Sequence, residues 1–251
     1  MQPQSLFAFA LLALTSASPV RRRQAGGSCA RPAPVLPLTG ADVELPAPEG
    51  LNLKYIALGH GIQNYSCIAG QEAKATGALA VLYDATALYP GQGPSSLPTV
   101  DHFDALTTTV LWAGRLPLKS DGATQFGADR AAPFPPAAPL EIPGLTLPFL
   151  GHHIFDAGTV PTFFTGEDEA EAELLIKAKL LQKVSAPQGA DPGPVGTGAV
   201  AWLQLGDAGN SRGLSTVYRV VTAGGTAQPC VDDAPQSVPY TTYYWLYGAA
   251  E

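Results

Sequence analysis

The sequence is poor in the residues that usually announce a chemistry. Cysteine occurs three times and histidine four times in 251 residues. No H-x-H or H-E-x-x-H spacing is present, so no metal site is declared by pattern. There is no G-x-S-x-G elbow, which removes the hydrolase signature built on a strained nucleophilic serine. Basic residues are scarce, 14 against 21 acidic ones. The resulting net charge of −7 repels nucleic acid and anionic membrane. Beyond Leu6–Leu14 no apolar run approaches the roughly 20 residues that a transmembrane helix needs. No internal repeat is visible.

The N-terminus carries the clearest positive signal. Leu6–Leu14 reads L-F-A-F-A-L-L-A-L, and Thr15, Ser16, Ala17 and Ser18 follow. Small residues at Thr15 and Ala17 suit cleavage after Ala17, so residues 1–17 read as a signal peptide. The run is too short to span roughly 30 Å of hydrocarbon, and Pro19 ends any helix there. Arg21-Arg22-Arg23 marks residues 18–23 as a basic propeptide, with a mature chain beginning near Gln24. Residues 24–44 read as a flexible leader and residues 45–251 as one β-rich domain. The expectation is a secreted protein, extracellular or cell-wall associated. Removal of three arginines deepens the charge to about −10, so no nucleic acid partner is expected.

An oxidising compartment predicts one disulfide and leaves an odd thiol among Cys29, Cys67 and Cys230. Cys67 and Cys230 each follow a strand-like segment and are the expected pair; Cys29 with either partner remains open. Glycine and proline number 27 and 24. Proline is poorly tolerated in helix interiors, so this abundance favours short strands joined by turns. Strands are expected at Leu53–Leu58, Ile62–Ile68, Ala78–Tyr83, Thr107–Trp112, Ala199–Leu205, Thr216–Thr222 and Tyr240–Tyr247. Ala131–Pro143 reads as an irregular proline-rich surface loop. Glu167–Val184 supports two readings. Its acidic start and basic end suit a helix dipole, whereas Leu174, Ile176, Ala178 and Leu180 alternate like a strand. The helix is slightly preferred for the acidic part. The predicted fold is all-β, a sandwich or distorted barrel with long Pro/Gly loops and one peripheral helix.

Several segments recur as an ordered set. They are Lys54–Cys67, Gly151–Phe155, Val200–Leu205, Val217–Gly225 with Cys230, and Val238–Tyr240 leading into Tyr244–Tyr247. Together they resemble a secreted family found in filamentous fungi and some bacteria, domain-of-unknown-function family 3455, over roughly Leu45 to Tyr247. The resemblance implies secretion and a β-rich domain, and brings no reaction with it. Gly59-His60-Gly61-Ile62-Gln63-Asn64 lacks the third glycine of a dinucleotide fingerprint and leads into a strand, not a helix. No cofactor is expected on that ground.

The candidate chemistry is sparse. His60 and His153, with a carboxylate such as Asp84 or Asp156, form a conceivable zinc or copper set. Adjacent His152 and His153 point to opposite faces of a strand and do not share a metal. Asp84 and Asp156 with His153 are the candidate catalytic groups of a carbohydrate-active enzyme, since glycosidases use paired carboxylates. Against this, aspartate after a strand commonly caps a turn. Asn64-Tyr65-Ser66 is an N-glycosylation sequon. Tyr243, Trp245 and Tyr247 share one strand face, which is usually core but, if exposed, suits stacking on sugar rings. The preferred function is therefore a non-enzymatic surface or binding module for a cell-wall or host-surface glycan. A carbohydrate-active or metal-dependent enzyme is the alternative.

Overall fold

The structure is a computed structural model and describes residues 31–156 and 159–250. The expected signal peptide, the basic propeptide and Cys29 lie outside the described residues. From Pro32 onward the chain forms one compact unit.

The strands are β1 (Leu51–Ser66), β2 (Lys74–Asp84), β3 (Leu140–Ile142), β4 (Leu145–Leu147), β5 (Phe149–Asp156), β6 (Val160–Thr165), β7 (Leu175–Val184), β8 (Trp202–Asp207), β9 (Thr216–Gly224) and β10 (Gln236–Ala249). Eight of them close a barrel in the order β1-β10-β9-β8-β7-β6-β5-β2, and β3 pairs with β4 in a separate hairpin. Every barrel pairing is antiparallel. The fold is all-β and, of the two expected forms, it is the barrel. One α-helix, α1 (Val100–Ala113), lies among the described residues.

The two-residue period of each strand sorts side chains to the two faces of the wall. Inward, β1 and β2 offer small residues, Ala57, Gly59, Ala78 and Ala80, which leave room for the rings of Phe163, Tyr240 and Tyr244. A Cβ on Gly59 would lie 2.5 Å from the Tyr244 ring, and one on Gly61 would lie 1.9 Å from the Leu79 carbonyl oxygen. Gly59-His60-Gly61 is therefore no break: small residues let the wall pass close to its neighbours, and β1 runs unbroken through it. Outward, Ile56, Leu58, Tyr243, Trp245 and Tyr247 form a second core. That face is covered by α1 and by Leu36, Leu45, Leu140, Ile142 and Leu147 from the flanking segments. Phe103 of α1 stacks on Tyr243 with ring centroids 4.3 Å apart, and the Tyr243 hydroxyl donates to the Phe103 carbonyl at 2.7 Å.

Two local expectations are corrected. Thr107–Trp112 is not a strand but the second half of α1. Thr99 caps this helix by accepting from the His102 amide, and Phe103, Leu106, Thr107, Val110 and Leu111 recur at helical spacing to make its buried face. In the acidic stretch no helix forms; Glu167–Leu174 is turns and Leu175–Val184 is β7. One of its carboxylates, Glu169, pairs with Lys177 of β7 at 2.9 Å, and the same lysine pairs with Asp156 at the end of β5. The described part of the leader is packed down. The Val35 amide donates to Tyr89 Oη at 3.1 Å, and Gln182 Nε2 donates to the Glu44 carbonyl at 3.0 Å.

Candidate functional site

The candidate histidines divide between the faces of the wall. His153 points into the barrel, stacked on Phe163 at 3.9 Å, with Nδ1 3.0 Å from the Thr162 carbonyl oxygen. That contact makes Nδ1 the protonated nitrogen, and burial pushes the imidazole pKa down to about 3. His60 points outward beneath the end of α1, with Nδ1 3.0 Å from Thr241 Oγ1. Its pKa falls to about 4, again through burial. His60 Nε2 faces the backbone near Arg115 and makes no hydrogen bond of good geometry. His60 and His153 therefore stand on opposite sides of the sheet and do not share a metal ion. Among the described residues no group of three or more His, Cys, Asp or Glu is placed to hold one.

The carboxylates are equally dispersed. Asp84 accepts from the Thr86 amide at 2.8 Å, a turn-capping contact. Asp156 forms an ion pair with Lys177. Register places Ala80 opposite His153, so Asp84 lies four residues to one side of that pair and Asp156 three residues to the other. At about 3.3 Å per residue, they are roughly 23 Å apart along the wall. Paired glycosidase carboxyl groups stand about 5 to 9.5 Å apart. The structure thus does not gather Asp84, Asp156, His153 and His60 into one pocket.

The C-terminal aromatic row is core on both faces. Tyr243, Trp245 and Tyr247 are covered by α1 and its neighbours, whereas Tyr240 and Tyr244 fill the barrel. None is open to stack on a sugar. The expected Cys67–Cys230 disulfide is present, with Cα atoms 5.4 Å apart.

A different set of residues does converge. Residues 121–133 roof a cleft of about 380 Å³ against β1, β2 and the start of β10. Asn64, Tyr65, Thr76, Arg130, Phe155 and Ser237 line it. Asn64 Oδ1 accepts from Ser237 Oγ at 2.8 Å, so the Asn64 amide nitrogen is left as a donor without a partner among the described residues. The Thr76 hydroxyl and Arg130 guanidinium are likewise without hydrogen-bond partners among the described residues. Asp121, on the roof, is locked by the amides of Thr124 and Ala123 and by the Thr124 hydroxyl, which hold its carboxyl below the usual range, with Arg130 assisting. Sequence reasoning reached Asn64 through its sequon and missed Thr76, Arg130, Phe155 and Ser237. These come from four separate segments, and no spacing links them.

The fold and cleft define an antiparallel eight-stranded barrel with a roofed recess of mixed polar and apolar lining. The chain belongs to the family described as Protein of unknown function (DUF3455), whose model matches residues 46–248. No curated protein and no solved structure matches the chain. No helix among the described residues is long and apolar enough to cross a membrane.

Proposed function

We propose that this protein is a secreted, non-enzymatic binding module, extracellular or cell-wall associated, that takes a cell-wall or host-surface glycan in the Asn64–Arg130 cleft. The observation that carries the reading is the composition of that cleft. The Asn64 amide nitrogen, the Arg130 guanidinium and the Thr76 hydroxyl, donors that make no hydrogen bond among the described residues, share the lining with two half-buried aromatic residues, Tyr65 and Phe155. A sugar ring offers hydroxyls at its rim and an apolar face, and a site for it needs both kinds of surface. Secretion is supported by the signal-peptide pattern and by the disulfide. The dispersal of His153, Asp84 and Asp156 withdraws support from the acid/base alternative.

A polysaccharide array tests the reading, using mature protein made without N-glycosylation. Selective retention by one glycan class is expected, with Arg130→Ala weakening it about tenfold or more. Absence of retention on every glycan, or retention indifferent to Arg130→Ala and Thr76→Val, overturns it. The sequon adds a second readout. An N-glycan on the Asn64 amide nitrogen would occupy the recess and consume that donor, so material glycosylated there should not be retained.

A further inference from the structure

A second cleft, of about 160 Å³, adjoins the Asn64–Arg130 recess, and Thr124, Gln236 and Ser237 line both. Thr124 belongs to the roof, whereas Gln236 and Ser237 are the first residues of β10 in the floor. Roof and floor therefore each continue from one cleft into the other. No hydrogen bond ties the roof down at this point among the described residues, because the amide and hydroxyl of Thr124 both donate to Asp121. The floor is held independently. Ser237 donates to Asn64, and the Gln236 side chain bonds both backbone groups of Gln228, at 2.8 and 3.1 Å.

The second cleft repeats the mixture found in the first. Phe126 supplies a half-buried ring, and Val195 adds apolar surface. Gln125 and Gln228 are exposed, and their side-chain amides make no hydrogen bond among the described residues. Each such amide offers two donors and a carbonyl acceptor. No charged residue lines this cleft. In the first, Asp121 is saturated by Ala123 and Thr124, which leaves the Arg130 guanidinium as the one open charge. The chain as a whole carries −7. A polyanion would meet long-range repulsion and find a single cation. A chain of hydroxyls and apolar ring faces finds complementary surface in both clefts.

Resting on the glycan reading of the recess, we propose that the two clefts are consecutive subsites for one uncharged polysaccharide chain. Phe126, Gln125 and Gln228 hold the sugar residues that lie beyond those in the Asn64–Arg130 recess.

Calorimetric titration of the mature, unglycosylated chain with β-glucan, mannan and chitin oligosaccharides of two to six residues tests this, alongside oligogalacturonides of the same lengths. One neutral series should bind, its affinity rising about tenfold from the disaccharide to a plateau at longer chains. Gln125→Ala and Phe126→Ala should each bring the hexasaccharide down towards the affinity of the disaccharide and leave the disaccharide unchanged. Arg130→Ala should weaken every length about equally. A thermal melt checks that Phe126→Ala folds, and Gln125→Ala changes only an exposed side chain. Equal affinity at every length, or an undiminished rise in both folded variants, overturns the second subsite and leaves the recess reading standing. Preference for oligogalacturonides overturns the uncharged class. No heat of binding from any oligosaccharide up to about 5 mM, the weakest useful affinity, overturns the recess reading and this proposal with it.

Discussion

His60, His152 and His153 are 1%, 3% and 3% exposed, and burial holds all three imidazoles neutral where a free histidine is half charged. Their pKa values fall from an ordinary 6.5 to about 4, 4 and 3. Below pH 6.5 the unfolded chain takes up protons that the folded chain refuses. Stability present above 6.5 is therefore lost as the pH falls towards 4, at up to about 1.4 kcal/mol per pH unit for each ring. Asp104 works in the opposite sense. Burial first, and the nearby Asp101 second, raise its carboxyl to about 6. Its charge is held at a cost near neutrality, and that cost disappears as the pH falls from 6 towards 3.8. We expect the melting temperature to drop from pH 7 to pH 4.5, His153→Phe to make the drop shallower, and Asp104→Asn to raise the melting temperature at pH 7 but not near pH 4. Calorimetric melts across that range measure all three. The opposite orientation of His152 and His153 was legible in the sequence, because adjacent strand residues must face apart. Their burial was not, because it depends on which segments cover each face.

At the scale of elements, the sequence was most readable where one strand carried its own pattern, as in β9 and β10. It was least readable where a neighbour decided the outcome. The β-branched run at Thr107–Val110 looks like a strand alone; only Thr99, eight residues upstream, and the spacing from Phe103 reveal the helix. Thr99→Ala should therefore lower stability by about 1 kcal/mol, measured by urea unfolding. A second local feature lies on β9, where Val221 has φ of 50° and the β9–β10 register shifts. Left-handed backbone is strained for a β-branched side chain by roughly 1 to 2 kcal/mol. Val221→Gly should relieve that strain while losing half-buried packing, and so stay within about 1 kcal/mol of the parent. Val220→Gly, in the fully buried outer core with no strain to relieve, should cost about 3 kcal/mol or more in the same assay.

The whole molecule owes its closure to its first and last barrel strands. β1 and β10 pair from Leu51↔Ala249 to Tyr65↔Gln236, and Cys67–Cys230 clamps the far end of that seam. Composition made an all-β fold legible, but not closure, since pairing of sequence-distant strands leaves no local mark. The bridge encloses a sequence separation of 163 residues. The chain-entropy model assigns such a loop about 5 kcal/mol. Reduction, or paired Cys67→Ser and Cys230→Ser substitution, should lower the melting temperature by about 10 °C or more. A scan that shows no shift would remove the bridge from the stability of the fold.

The position of that clamp also decides how the molecule bears load. Tension applied through Leu51 and Ala249 acts at the unclamped end and peels the seam one hydrogen-bonded pair at a time, like a zip, instead of shearing it all at once. The opened seam leaves β1 held by β2 and β10 held by β9, and only when those ladders also give way do Leu51–Cys67 and Cys230–Ala249 extend, 37 residues or about 125 Å when taut. There the covalent bridge takes the force and the remaining six strands are spared.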